Sequence, residues 1–227
     1  MNFNEYVTIG SDETGVGDYL SPIVACAVFL NPENISKINK LDIKDSKLLT
    51  DKKIKEIAKE LKKLVSHSIN YFSQKGYNNL NKFFNAHEIK MFLHLKSINF
   101  LEQKHQNIDY VIIDAFSDEK NIDKYIEKLV NNKKFMLQNI KSEKKIIQKA
   151  ESLSLSVACA SILARNYLLE KMEEQNIKYN SIFPLGTNSI VENFTLKFVE
   201  KNGFEELYNV AKIKFKTTEK LFGLKKA

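Results

Sequence analysis

Two adjacent carboxylates near the N-terminus are the first residues that could do chemistry. The stretch "YVTIGSDETGVGDYL" places Asp12 and Glu13 directly after an apolar run and before a glycine-containing turn. Two more acids, Asp114 in "VIIDAF" and Glu151 in "KAESLS", adjoin apolar stretches far along the chain. Acids beside a core are exposed at its rim, paired with bases or bound to metal, because an isolated charge is expensive to desolvate. If these four converge, their oxygens suit two Mg²⁺ or Mn²⁺ ions and phosphodiester hydrolysis.

Each acid also has an ordinary structural interpretation. Asp12 and Glu13 fit a solvated hairpin turn, and Asp114 alone is typical of an acid that caps a loop after a strand. No rival site stands out, since the sequence contains no GxxxxGK[ST] phosphate-binding loop. The histidines lack the pairing of a zinc site or a Ser/His/Asp triad and are predicted to be structural or at the surface; they are His67, His87, His94 and His105.

The composition indicates a globular protein with a basic surface. A net charge of +7 suggests a polyanionic partner such as nucleic acid, although the dominance of lysine, with much Asn and Ile, fits a nucleotide-composition bias equally well. Cys26 and Cys159 lie among apolar or small residues, which indicates buried reduced thiols. We see neither a secretory signal nor an apolar run of about 20 residues, and therefore expect a cytoplasmic protein without a membrane partner.

The pattern of apolar residues predicts the elements that position the acids. Runs at 6–9 and 23–30 are predicted to be strands joined near Asp12, and "DYVIID" at 109–114 a buried strand that ends at a site. Thr50 is a predicted N-cap, and Asn85 with Glu88 resembles a capping box that opens a helix to about residue 101. The remaining predictions are strands at 67–72, 135–140 and 144–149, and helices at 52–65, 121–130, 154–175 and from 189 onward. This order predicts one layered α/β or α+β domain.

Several motifs together resemble the type 2 ribonucleases H. "GSDETGVGDYLSPIVACAV" is similar to the first motif of that family, and its "GDY" followed by "SP" resembles the type III branch, ribonuclease HIII. Further motifs agree in order and cover nearly the whole chain: "IKDSKLLTDKKI", "VIIDAF", "KAESLSLSVACASILAR", "FPLGT" and "KIKFKTTEK". The resemblance implies an α/β ribonuclease H-like fold, with a mixed five-stranded sheet flanked by helices and a helical C-terminal region at about 189–227.

The resemblance also implies an activity and a set of site residues. The activity is endonucleolytic cleavage of the RNA strand in RNA/DNA hybrids with Mg²⁺ or Mn²⁺, giving 5′-phosphate and 3′-hydroxyl ends. Asp12, Glu13, Asp114 and Glu151 match the four metal-binding carboxylates, and glutamate at the fourth position again favours type III. The other matches are substrate contacts: Gly15, Val16 and Gly17 beside the 2′-hydroxyls, and Ser46, Lys47 and Arg165 at phosphates. For Arg165 a surface salt bridge fits equally well.

Some features depart from the family pattern. Type III enzymes usually carry an N-terminal domain that helps to grip the hybrid, whereas here the first motif begins about ten residues into the chain, so we expect a short natural member. Leu185 replaces a usual lysine in "FPLGT", and Asp18 is expected to mark the branch and to support the turn. We expect a single catalytic domain over 1–227, acting as a monomer without an obligate protein partner. The alternatives are type II-like incision at single ribonucleotides and a non-catalytic hybrid-binding protein.

Overall fold

A computed structural model describes residues 2–41, 43 and 49–223 of the chain. Its centre is a five-stranded sheet in the order β3-β2-β1-β4-β5. The strands are β1 (Thr8–Thr14), β2 (Ile23–Leu30), β3 (Ser66–Phe72), β4 (Tyr110–Asp114) and β5 (Glu143–Ile147). β2 is antiparallel to both β1 and β3, whereas β4 is parallel to both β1 and β5. The predicted mixed sheet is therefore confirmed.

Helices flank this sheet and continue into the C-terminal region. They are α1 (Ile35–Asn39), α2 (Asp51–Leu64), α3 (Gln74–Leu80), α4 (Ala86–Lys104), α5 (Glu119–Asn131), α6 (Leu155–Tyr179), α7 (Ser189–Asn202), α8 (Phe204–Val210) and α9 (Lys216–Phe222). In the described part of the chain, no helix is both long and apolar enough to cross a membrane. The α/β class and the helical C-terminal region agree with the prediction.

Strand β2 shows why the sequence of a core strand can be apolar at every position. Successive side chains of a strand point to opposite faces of the sheet. Val24, Cys26 and Val28 face the core cluster that contains α2 and α6, whereas Ala27 faces the cluster that contains α4 and α5. Because helices cover both faces, alternate residues cannot be polar.

Helix α6 lies unusually close to β1. A Cβ atom at Gly10 would stand 2.2 Å from the backbone nitrogen of Val157, so only glycine fits that position of β1. Ala160 and Ala164 are fully buried on the same helix, and their small side chains let it approach the sheet closely. This close packing brings the first turns of α6 against the strand that carries the two adjacent acids.

Two predicted elements differ from the structure in informative ways. β1 extends to Thr14, so Asp12 and Glu13 lie within the end of the strand and not in the turn. The predicted strand at 135–140 is wrong: a 3₁₀ turn ends at Phe135 and irregular chain follows. The side chain of Asn99 bonds both the backbone N–H and the carbonyl of Gln138, so this segment is paired to a helix side chain instead of the sheet.

Candidate active site

A cavity of about 480 Å³ opens where β1 and β4 end. Its walls include Asp12, Glu13, Asp114, Ser161 and Arg165. The parallel pairing of β1 with β4 places the last residues of the two strands side by side, so acids far apart in sequence meet at one edge of the sheet. The structure thus brings three of the four predicted carboxylates into one cavity.

Asp12 is the most deeply held of these acids. Its side chain is 8% exposed and accepts a 2.7 Å hydrogen bond from the backbone N–H of Glu13. Ser161, on α6, donates a second hydrogen bond. Burial, followed by the negative charges of Glu13 and Asp114, raises the pKa of Asp12 to about 8. A cation that enters the cavity would relieve this repulsion.

Glu13 points to the other face of the sheet, toward α4. Its Oε2 lies 3.0 Å from Nε2 of His94, and Lys90 donates to its Oε1 at 3.4 Å. The second ring nitrogen of His94 lies 2.7 Å from the Ser11 hydroxyl. Burial raises the pKa of Glu13, but the bond to His94 and the charge of Lys90 outweigh it and leave that pKa below its usual value.

Sequence reasoning missed the roles of Lys90 and His94. His94 was predicted to be structural or at the surface, and the structure shows it fully buried beside a candidate metal ligand. One signal was available, because residues four apart share one face of a helix. A lysine and a histidine on the same apolar side of a helix indicate a polar partner opposite them, and a buried lysine indicates an acid.

Asp114 and Glu151 lie at and just after the C-terminal ends of two neighbouring strands, β4 and β5. Asp114 ends β4, and its Oδ1 accepts a 2.8 Å bond from the backbone N–H of Ala150. Glu151 follows in the 3₁₀ turn Ala150–Ser152 and is half-buried. Unlike the other three acids, Glu151 does not belong to the described lining of the cavity.

The carboxylate set has the chemistry of a divalent-cation site. Hard oxygen donors suit Mg²⁺ and Mn²⁺, and the pKa of Asp12 is raised first by burial and then by the negative charges of Glu13 and Asp114. Among the residues that the structure describes, no group of three or more His, Cys, Asp or Glu side chains already meets the geometry of a metal site. One reason is visible at Glu13, whose two oxygens face Lys90 and His94.

The turn that follows β1 contains the predicted 2′-hydroxyl contacts. Gly15 is buried with φ +82°, whereas Gly17 is exposed, with no atom within 4 Å of where its Cβ would lie. Val16 packs against the cluster that contains Tyr77. Asp18 accepts a 2.7 Å bond from the backbone N–H of Gly186, so its predicted support of the turn is confirmed.

The predicted phosphate contacts fall in two regions. Arg165 lies at the cavity wall and pairs with Asp51 at 3.1 Å, as the salt-bridge alternative predicted. Ser46 and Lys47 lie outside the described residues. Leu185 packs against the core cluster of α6, consistent with the loss of the usual charge there.

Comparison with known proteins decides the family. A family model described as Ribonuclease HII matches residues 9–218. Ribonuclease HIII of Ureaplasma parvum is 38% identical over 95% of this chain and 67% of its own length. The chain belongs to the ribonuclease HIII family. Ribonuclease HIII of Enterococcus faecalis is 31% identical over 96% of this chain and 70% of its own length. Membership identifies the chain as a metal-dependent ribonuclease H enzyme.

Solved structures agree with this family and with the fold. Bst-RNase HIII in complex with Mn²⁺ matches with a TM-score of 0.89 at 31% identity, covering 96% of this chain and 70% of that one. RNase H3 of Aquifex aeolicus matches with a TM-score of 0.72 at 23% identity, covering 92% of this chain and 72% of that one, a likeness of fold alone. The predicted ribonuclease H-like fold is confirmed.

Proposed function

We propose that this protein cleaves internal phosphodiester bonds in the RNA strand of RNA/DNA hybrids and leaves 5′-phosphate and 3′-hydroxyl ends. One observation carries the proposal: Asp12, Glu13 and Asp114 meet in a single cavity at the ends of β1 and β4 in a ribonuclease HIII family member. The basic chain, with a net charge of +7, suits a polyanionic substrate.

We assign Asp12, Glu13, Asp114 and Glu151 to hold two divalent ions, Mg²⁺ or Mn²⁺. When bound, such ions activate a water molecule and stabilise the charge that develops on the leaving oxygen. The Mn²⁺ in the Bst-RNase HIII structure supports this metal class. The protein's own contribution is to hold each carboxylate in place before substrate arrives.

Two separate sets of hydrogen-bond partners hold Asp12 and Glu13 in place. Ser161 and the N–H of Glu13 orient Asp12 on the α6 face. Lys90 and His94 hold Glu13 on the α4 face. Neighbouring residues of one strand thereby approach the same cavity from opposite sides of the sheet, and each is held by its own partners against the repulsion between the two negative charges.

The turn after β1 would contact the RNA strand beside the metals. The hybrid has a wide, shallow minor groove in which the 2′-hydroxyl distinguishes RNA from DNA. Gly17 is exposed and has open space around it, so the backbone can approach the sugar closely at this residue, and we assign the turn Gly15, Val16 and Gly17 to the 2′-hydroxyls. Arg165, together with Ser46 and Lys47, is assigned to phosphates.

Substitution of the buried acids tests the proposal. Asp12→Asn and Asp114→Asn should each abolish cleavage of a labelled hybrid in Mg²⁺ or Mn²⁺ and keep hybrid binding, because each removes a ligand charge but little volume. Asp123→Asn is the matched control, since this exposed acid on α5 pairs only with Lys144 among the contacts described. Full activity in either buried variant would refute the metal assignment.

A second candidate function is incision at a single ribonucleotide within duplex DNA. The match to a model described as Ribonuclease HII favours it. Comparing the rates on a single-ribonucleotide duplex and on a continuous hybrid separates the two functions, and the first proposal requires faster cleavage of the continuous hybrid. A protein that binds both substrates and cleaves neither with any divalent metal is the non-catalytic alternative.

We also propose that the protein acts as a monomer in the cytoplasm and that residues 1–227 form one catalytic unit. The buried, unpaired thiols of Cys26 and Cys159 support a reducing compartment. Light scattering of the purified protein, alone and with a hybrid, tests the oligomeric state.

A further inference from the structure

Lys212 is a buried lysine that the proposed chemistry does not use. It lies between α8 and α9 in "KIKFKTTEK", and its side chain is 1% exposed. Its Nζ donates hydrogen bonds to the carbonyl oxygens of Gly15 and Asp18. It also lies 5.4 Å from the centre of the Phe215 ring and 6.0 Å from that of Tyr77. Burial of an amino group is costly, so these contacts indicate a specific task.

The turn from Gly15 to Tyr19 is held by nearby Ser21 and by residues from later in the chain. The Ser21 hydroxyl donates long bonds of 3.4 Å to the Gly15 carbonyl and to the Asp18 carboxylate. The turn's own closing bond, from the N–H of Asp18 to the carbonyl of Gly15, is long at 3.4 Å. The N–H of Tyr19 donates to the carbonyl of Gly186 at 3.0 Å, and the N–H of Lys212 donates to the carbonyl of Tyr19 at 3.0 Å. The turn would therefore lose much of its support without this later segment.

The geometry of the peptide unit links Lys212 to the predicted substrate contact. In a trans peptide the carbonyl of one residue and the N–H of the next point in opposite directions. Because Lys212 draws the carbonyl of Gly15 inward, the N–H of Val16 points away from the interior. A peptide next to glycine rotates easily, and rotation here would present a carbonyl in place of the N–H.

We propose that Lys212 is a positioning residue that fixes the Gly15–Val16 peptide with its N–H directed toward the hybrid. This inference rests on the proposed function, in which the turn meets a 2′-hydroxyl. With Lys212 in place, the turn presents a donor beside the sugar and phosphate oxygens. Without it, the peptide rotates in part of the molecules and places a carbonyl, which repels phosphate, at the same point.

The test compares Lys212→Met with Lys214→Met. Both variants remove one amino group from the same segment, but Lys214 is exposed and bonds only the carbonyl of Asn81 among the described contacts. Cleavage is measured on a hybrid with a continuous RNA strand and on hybrids with a single 2′-deoxy substitution near the cut site. We expect the preference for the ribose over the deoxyribose to fall about tenfold in Lys212→Met, the effect of one lost hydrogen bond, and to stay unchanged in Lys214→Met.

The outcomes separate this inference from the proposed function. A wild-type protein that cleaves no hybrid refutes the proposed function. If the wild-type protein cleaves the hybrid and Lys212→Met shows the same ribose preference as wild type, only the role of Lys212 is refuted. A loss of rate that is equal on ribose and deoxyribose substrates also refutes it, because a purely structural lysine would behave in that way.

A measurement on the unmodified protein covers the case in which Lys212→Met does not fold. The ¹⁵N resonance of the Lys212 amino group and the amide resonance of Val16 are recorded with added hybrid, in Ca²⁺ to prevent turnover. Both should shift with an RNA/DNA hybrid and stay in place with a DNA duplex of the same sequence. A shift of equal size with both duplexes would overturn the inference.

Discussion

Substitution of Gly15 by alanine should destabilise the protein, whereas the same substitution at Gly17 should not. At Gly15, φ is +82°, which costs an L-residue about 1–2 kcal/mol. The added Cβ would also lie 2.2 Å from the carbonyl oxygen of Pro22 and 2.7 Å from a methyl carbon of Leu168. The first of these is a backbone atom that cannot rotate away, so overpacking adds about 1–3 kcal/mol. The two costs sum to roughly 2–5 kcal/mol, a large part of the stability of an ordinary domain.

Urea denaturation measures this difference directly. The chain has no tryptophan, so circular dichroism of the helices is the appropriate signal. Gly17→Ala is the matched control because no atom lies within 4 Å of its would-be Cβ, and its free energy of unfolding should stay within about 0.5 kcal/mol of wild type. Equal stability of the two variants would refute the steric reasoning at Gly15.

Cleavage by the same two variants separates folding from substrate contact. Gly17→Ala should lower cleavage of the hybrid at unchanged stability, because the new methyl group stands where the backbone is expected to approach the sugar. If Gly17→Ala cleaves at the wild-type rate, the hybrid does not approach the turn at this residue.

The remaining predictions concern buried charges and the basic surface. Burial lowers the pKa of Lys212 from 10.5 to about 7, so the unfolded state binds more protons between these pH values. The free energy of unfolding should therefore rise with pH across that window, by at most about 5 kcal/mol, and Lys212→Met should lack this rise in urea denaturation at several pH values. His94→Leu should lower the free energy of unfolding by about 1–3 kcal/mol, because its two hydrogen-bond partners stay buried; unchanged stability would contradict the hydrogen-bond assignment. Asp51→Asn should change the free energy of unfolding by less than about 1 kcal/mol, since its ion pair with Arg165 is partly exposed. Arg165→Ala should raise the KM for the hybrid, because it removes a proposed phosphate contact. Hybrid affinity of Asp12→Asn should fall at least about tenfold between 50 and 200 mM salt in a titration; salt-independent binding would exclude phosphate contacts as its main source.

Local sequence signals predicted the elements better than the side-chain contacts. Asn85 and Glu88 form the predicted capping box, and Thr50 caps α2 as expected, because these contacts join residues only three apart. The pairing of Glu13 with His94 joins residues 81 apart, so no local pattern reveals it. The predicted strand at 135–140 failed for the same reason, since the backbone N–H and carbonyl of Gln138 bond to the side chain of Asn99.

The candidate site was predicted mainly through motifs, and the structure adds what motifs leave out. The meeting of Asp12 and Asp114 follows from the parallel pairing of β1 with β4, which the sequence could only suggest. Which face each acid occupies depends on where β1 ends, and the prediction placed that end too early. Lys212 stood within a recognised motif, but its contact with Gly15 spans 197 positions and could not be inferred from spacing.

That long span also sets the order in which the enzyme can mature during synthesis. Asp12 and Glu13 leave the ribosome about 200 residues before Lys212, which ties the turn beside them. At roughly 5–20 residues per second, the ribosome needs at least about ten seconds to supply it. During this interval the growing chain already contains most of the proposed metal-binding carboxylates but lacks the lysine that fixes the proposed ribose contact. In this architecture the ribose contact that we propose is fixed only after residue 212 has been synthesised.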